Sequence, residues 1–290
     1  MAVRRRPGRW LVAVGMGLAL ALAGYLVVRY NWPSPAEGCT ARGADGTTVT
    51  LDVGQAANAA TIAAVARSRG LPERAVTIAL ATAIQESKLR DIDYGDRDSL
   101  GLFQQRPSQG WGTPAQVLDP VHATGKFYDA LVNVPGYLGL SVTAAAQQVQ
   151  HSGYPQAYAQ HEDTAALLAA ALTGREGAAM TCTLTGSDAH PSTQQGGMTV
   201  TQAARREFGP GLPPPSSAGA GTVTYAVPDA RTGWTVAVWM VCHAAEFHLT
   251  SVAFGDREWS STKSDRGWVR RDSGAGQAGT VVAVAAPTAA

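Results

Sequence analysis

Residues 72–87 read PERAVTIALATAIQES, and this stretch decides the character of the chain's first half. Pro72 falls in the first turn of a helix, where a fixed φ is tolerated, and Glu73 beside it complements the helix dipole. No charge lies between Arg74 and Glu86, so the helix is apolar on most faces and is expected to be central and buried. Its one acid beyond the first turn is Glu86, at the C-terminal end. Ala83, Thr82 and Ala79, three, four and seven positions back, are all small. A carboxylate set among small residues at the end of a buried helix is costly unless something uses it.

Upstream, Ala57, Ala60, Ile62, Ala63, Val65 and Ala66 recur at helical spacing, and Gly70 closes that helix. Downstream, residues 91–112 read DIDYGDRDSLGLFQQRPSQGWG. Glycines at 95, 101, 110 and 112 mark tight turns, and Leu100, Leu102 and Phe103 supply a short apolar core between them. A hairpin or turn-rich lobe here would face Glu86 as one wall of a cleft. Further helices are readable around 120–131, 142–150 and 157–172. Residues 39–182 are therefore expected to form one alanine-rich domain, and the expected fold class is mainly α.

Composition bounds the function. Hydrophobic residues make up 45% of the 290 and charged residues 16%, which excludes a wholly disordered chain. Five arginines precede residue 31 with no acid among them, leaving 18 basic against 22 acidic side chains in the remainder. That acidic body offers no electrostatic footprint for nucleic acid.

Residues 10–28, WLVAVGMGLALALAGYLVV, carry no charge, and as a helix they would span roughly 29 Å, a hydrocarbon core. Arginines concentrate in the preceding segment, 1–9. The expected topology is a single uncleaved transmembrane anchor, with the N-terminus cytoplasmic and the body extracellular. The competing reading is a signal peptide cleaved after Ala21-Leu22-Ala23. Export makes a Cys39–Cys182 disulfide plausible and leaves Cys242, within an apolar helical run, as a small buried hydrophobe.

From 183 to 222 the composition shifts to Ser, Thr, Gly, Gln and Pro, expected to be a flexible linker in which MTVTQAARREF could form a short helix. Residues 223–271 are expected to be a small α/β module: Asp229 caps a helix, and a strand TSVAF and a Gly-Asp turn follow. Trp234, Trp239, Trp259 and Trp268 fall here, with core packing the expectation for the first three and sugar stacking the rival. The tail, 272–290, shows no periodicity and is expected to be disordered.

Glu86-Ser87, followed by Gly101-Leu102-Phe103-Gln104, resembles the ES…GLMQ signature of the lysozyme-like superfamily, in its soluble lytic transglycosylase and goose-type lysozyme branch. The segment 39–182 also looks like a domain of exported actinobacterial proteins, and 223–271 like a tryptophan-rich module at their C-terminal ends. The resemblance implies a lysozyme-like helical fold with Glu86 as the catalytic acid/base and Ser87 and Gln104 lining the same cleft. It departs further on. The family's AYNAG-like segment is replaced by HSGYPQAYAQHE at 151–162, where Tyr154 or Tyr158 would take part of the substrate-binding role.

The implied chemistry is cleavage of peptidoglycan glycan strands, with no cofactor. A carboxylic acid protonates the leaving oxygen, and in transglycosylases the same group then acts as base while the sugar's 6-hydroxyl closes an anhydro ring. A hydrolase needs a second carboxylate, for which Asp96 and Asp98 are candidates. The departure at 151–162 keeps open a different class: a non-catalytic cell-envelope protein that binds glycan or a partner. Metal readings fail, since the run Asp91, Asp93, Asp96, Asp98 misplaces the EF-hand glycine and His161-Glu162 has no second histidine for HExxH.

Overall fold

β1 (Gly38–Arg42) pairs antiparallel with β2 (Thr48–Leu51) on one side and, across the whole helical region, with β3 (Met180–Thr183) on the other. The computed structural model describes residues 36–151, 156–185, 198–219, 221–271 and 279–286. Cys39 lies directly opposite Cys182 in the β1–β3 ladder, and the two form a disulfide with their Cα atoms 3.9 Å apart. Cys242 is buried and free.

Between these strands run α1 (Val53–Ser68), α2 (Glu73–Ser87), the single turn α3 (Pro114–Val117), α4 (Pro120–Val132), α5 (Val142–Gln150) and α6 (Glu162–Leu172). Local chemistry sets their starts. Asp52 accepts from the Gln55 amide at 2.7 Å while the Gln55 side chain accepts from the Asp52 amide at 2.9 Å, a reciprocal cap of α1. Asp119 and Ser141 cap α4 and α5. Every residue of α2 from Ala75 to Ala83 is buried, and α1, α4, α5 and α6 pack around it.

Residues 183–222 contain α7 (Val200–Phe208), capped by Thr199, which buries Val200, Ala203, Ala204 and Phe208 against α1. The short helix is present, but this part of the expected linker is packed. β4 (Ser217–Gly219), β5 (Thr222–Ala226), α8 (Ala230–Cys242), β6 (Leu249–Phe254), β7 (Arg257–Ser260), β8 (Val269–Arg270) and β9 (Thr280–Ala285) complete the chain. The strands form a six-stranded antiparallel sheet in the order β4-β5-β9-β6-β7-β8.

Three sequence expectations are corrected by this architecture. Two antiparallel sheets, with helix near 48% and strand near 17% of the described residues, replace a mainly α lysozyme-like domain followed by a small module. The segment 223–271 does not stand apart: α8 packs on α1, α6 and β3 as well as on its own sheet. The indoles of Trp259 and Trp268 donate to the carbonyls of Cys182 (2.9 Å) and Met180 (2.8 Å), so these side chains join the two halves. The tail, expected to be disordered, contributes β9, the strand between β5 and β6. Val281 and Ala283 alternate inward, and β9 exists because two long-range partners satisfy both its edges. Among the described residues no helix is long and apolar enough to cross a membrane, and the expected anchor at 10–28 lies outside them.

A buried polar cluster lies where α1, α7 and α8 meet. Glu207 accepts from the Trp239 indole at 2.7 Å, and His243 Nδ1 faces Glu246 at 2.9 Å. Burial holds the Glu207 carboxyl above its usual range despite His243, Trp239 and Thr61, which pull it down. Burial works against charge on His243, yet Glu207 and Glu246 hold it above its ordinary value. Both groups bind protons more tightly folded than unfolded. The stability they contribute is complete below the unfolded values, 4.5 for the carboxyl and 6.5 for the imidazole, and is lost as pH rises through the folded ones. Asp45, Asp98 and Asp229, held low, lose their contribution only in acid, as pH falls below about 3.8. The Glu207–His243 pair is therefore expected to favour a higher melting temperature at pH 5.5 than at pH 8.5, against the opposite effect of the less buried His161, whose pKa burial lowers. Glu207→Gln is expected to remove the pair's share of the difference. A pH dependence that Glu207→Gln leaves unchanged would contradict this assignment.

Candidate active site at the end of the central helix

α2 stops where Lys88 and Leu89 take positive φ, 56° and 61°. Two side chains of α1 hold that stop: Gln55 donates to the Lys88 carbonyl at 2.7 Å and Asn58 to the Leu89 carbonyl at 2.8 Å. Glu86 is thus fixed in the last turn, half-buried. Its Oε1 accepts a 2.6 Å hydrogen bond from the hydroxyl of Tyr158, whose ring is fully buried ahead of the short 3-10 turn Ala159–His161. Beside it, Gln85 Oε1 accepts from Gln160 at 3.3 Å and lies 3.0 Å from His161 Nε2. Burial lowers the His161 pKa, which favours a neutral ring.

The turn carrying residues 101–104 packs against this helix end. Ser87 is buried, and its hydroxyl lies 2.7 Å from the Leu102 carbonyl and 3.1 Å from that of Ala83. It also accepts from the Arg90 amide at 3.2 Å. Ser87 therefore clamps the turn to the helix and does not line a cleft. Leu102 and Phe103 are fully buried, with Phe103 stacked on Phe127 at 4.6 Å. Gln150, at the end of α5, donates to the Phe103 carbonyl at 2.9 Å. Gly101 is required here: its φ is 72°, and a Cβ would stand 2.4 Å from the Val117 carbonyl oxygen. Gln104, also at positive φ, is half-buried and spans its own loop, donating to the carbonyls of Tyr94 (3.3 Å) and Gly101 (3.4 Å).

The two candidates for a second carboxylate are engaged elsewhere or fully solvated. Asp98 pairs with Arg106 at 2.7 Å and accepts from the Ser108 amide at 2.8 Å; that amide, then Arg106, holds its carboxyl well below the usual range. Asp96 projects into solvent, with Arg97 at 3.9 Å. Tyr154 lies outside the described residues. Sequence reasoning passed over Gln85 and Gln160, although Gln85 adjoins Glu86, and it weighed His161 only for a metal site, although His161 follows Tyr158 by one helical turn. Asp91, weighed only for a metal site, has a carboxyl that keeps an exposed face yet is pushed up to about 6 by partial desolvation and then by Asp119 and Asp93.

Among the described residues, no group of three or more His, Cys, Asp and Glu could hold a metal ion. What the site offers is proton chemistry at one carboxylate, oriented by a buried tyrosine. No protein-family model matches the chain, and no curated protein matches it.

Proposed function

We propose that this protein cleaves the glycan strands of peptidoglycan outside the cytoplasm, as a lytic transglycosylase or muramidase with Glu86 as its acid/base. The observation that carries the reading is the joint placement of Glu86 and the turn 101–104, held together through Ser87, with the Tyr158 hydroxyl on the carboxylate. The Glu86 proton passes to the leaving glycosidic oxygen as an oxocarbenium-like centre develops at the anomeric carbon. The carboxylate then takes the proton of the attacking hydroxyl, while Tyr158 keeps its orientation fixed. The Cys39–Cys182 disulfide supports an oxidising compartment. Protease added to intact spheroplasts is expected to digest the body, and full protection would reverse that placement.

The engagement of Asp98 with Arg106 and Ser108 favours ring closure by the sugar's own 6-hydroxyl over water activated by a second carboxylate. Purified protein incubated with peptidoglycan is expected to release anhydro-ended muropeptides, read by mass spectrometry. Asp96→Asn and Asp98→Asn are expected to keep the cleavage rate within about threefold. Losses of about 10²-fold or more, with reducing-end products, would assign a hydrolase. Absence of cleavage would favour the binding-protein reading that the replaced AYNAG segment supports.

A further inference from the structure

The loop 91–100 carries Tyr94, which is 70% exposed and is the one exposed aromatic side chain among the described residues. Tyr128, Tyr158 and Tyr225 are all buried. A tyrosine ring left in water forgoes the burial that its apolar body ordinarily obtains. Its backbone is nonetheless held firmly. Gln104 donates to the Tyr94 carbonyl at 3.3 Å, and the Gly101 amide donates to the Ile92 carbonyl at 2.7 Å. Gly95 is packed so closely that a Cβ there would stand 2.6 Å from the Ser99 carbonyl oxygen and would overlap Gln104 Oε1.

The same frame holds the ring and the acid. Ser87, next to Glu86, fixes the Leu102 carbonyl at 2.7 Å, and Gln104, two residues further on, fixes Tyr94. Gln104 therefore ties an exposed ring to the turn that sits on the end of α2. A side chain presented on a loop fixed by a rigid frame loses little entropy on contact, and tyrosine offers a broad face with few rotatable bonds. The charges around the ring narrow its occupant. Asp91, Asp93 and Asp96 are exposed beside it, and Arg97 is the one base of the loop. That acidic border disfavours phosphates and carboxylates. An uncharged ring with an apolar C–H face and a polar rim fits instead, and a pyranose has that form.

We propose that Tyr94 is a substrate-binding residue, its ring the platform on which one sugar of the glycan strand stacks beside the linkage at Glu86. This rests on the reading that glycan occupies the Glu86 site, and it adds a second point of hold on the strand. Tyr94 touches no reacting atom, so its contribution is to affinity. The exposure of the ring then has a physical reason: the face that water covers in the free protein is the face the sugar buries.

The test is co-sedimentation of the full chain with purified, insoluble peptidoglycan, in the Glu86→Gln background so that the glycan is not consumed. Tyr94→Ala is expected to weaken binding by about tenfold. Tyr94→Phe, which restores the ring without the hydroxyl, is expected to recover most of that loss. Circular dichroism checks that both variants fold. Undiminished binding by Tyr94→Ala, or equal losses in Tyr94→Ala and Tyr94→Phe, would overturn the proposal, as would no binding by the Glu86→Gln parent. Failure of the cleavage reading looks different: the wild-type protein would release no muropeptides while Tyr94-dependent binding persisted, a result that supports the platform.

Discussion

Glu86→Gln is expected to leave the fold intact and to lower glycan cleavage by about 10²–10⁴-fold, with a larger loss where the same group serves as both acid and base. Glutamine keeps the volume of the side chain, and its amide oxygen still accepts from the Tyr158 hydroxyl, now 2.6 Å from Glu86. What disappears is the proton. Tyr158→Phe is the complementary change: it keeps the buried ring, removes the donor, and leaves the acid to rotate. A loss of about tenfold is expected there, smaller than for Glu86→Gln, because the proton remains available and only its aim is relaxed. The measurement is muropeptide release under single-turnover conditions, with circular dichroism as the check on folding. Near wild-type cleavage by Glu86→Gln would refute the acid/base assignment. No cleavage by the wild-type protein on several peptidoglycan types would move the reading to a non-catalytic envelope protein.

Replacing Cys39 and Cys182 together by serine is expected to cost about 4–5 kcal/mol in the chain-entropy description of cross-links. The size follows from the sequence separation of 143 residues, about half the length of the chain. At about 2–4 °C per kcal/mol for a chain of this size, the melting temperature is expected to fall by roughly 10 °C. Reduced wild-type protein should melt with the variant. Under denaturing, non-reducing conditions one thiol should react, that of Cys242, which is buried in the folded protein. An unchanged melting temperature would mean that the β1–β3 ladder and the tryptophan donors hold the ends together without the covalent link.

Much of the candidate site was legible locally. The apolar run ending in Glu86 is α2, because its burial follows from composition on every face. The glycine at 101 sits at the tight turn its position announces. Ser87 and Gln104 were expected in a cleft, but both spend their hydrogen bonds on bracing the turn that carries the signature. A motif records which residues belong together; whether they touch a ligand or hold one another depends on where each polar atom finds its partner. Asp98 makes the same point. Its spacing from Glu86 suggested a partnership, and the side chain is committed instead to Arg106 and the Ser108 amide on its own loop.

The sequence by itself determined the features whose causes lie within one or two helical turns: the helices between β1 and β3, the caps at Asp52, Ser141 and Asp229, the turn at Gly101, and burial of Cys242. Tertiary structure alone decided that the tail supplies β9, since Thr280–Ala285 becomes a strand only when β5 and β6 present both edges to it. It decided that the two halves form one body, through donors such as Trp259 and Trp268 reaching carbonyls 77 and 88 residues away. It also decided that Tyr158 meets Glu86 across 72 residues. A chain can write its helix caps in neighbouring letters, but a pairing that must first close a loop of that length is fixed only by the packing that surrounds both ends.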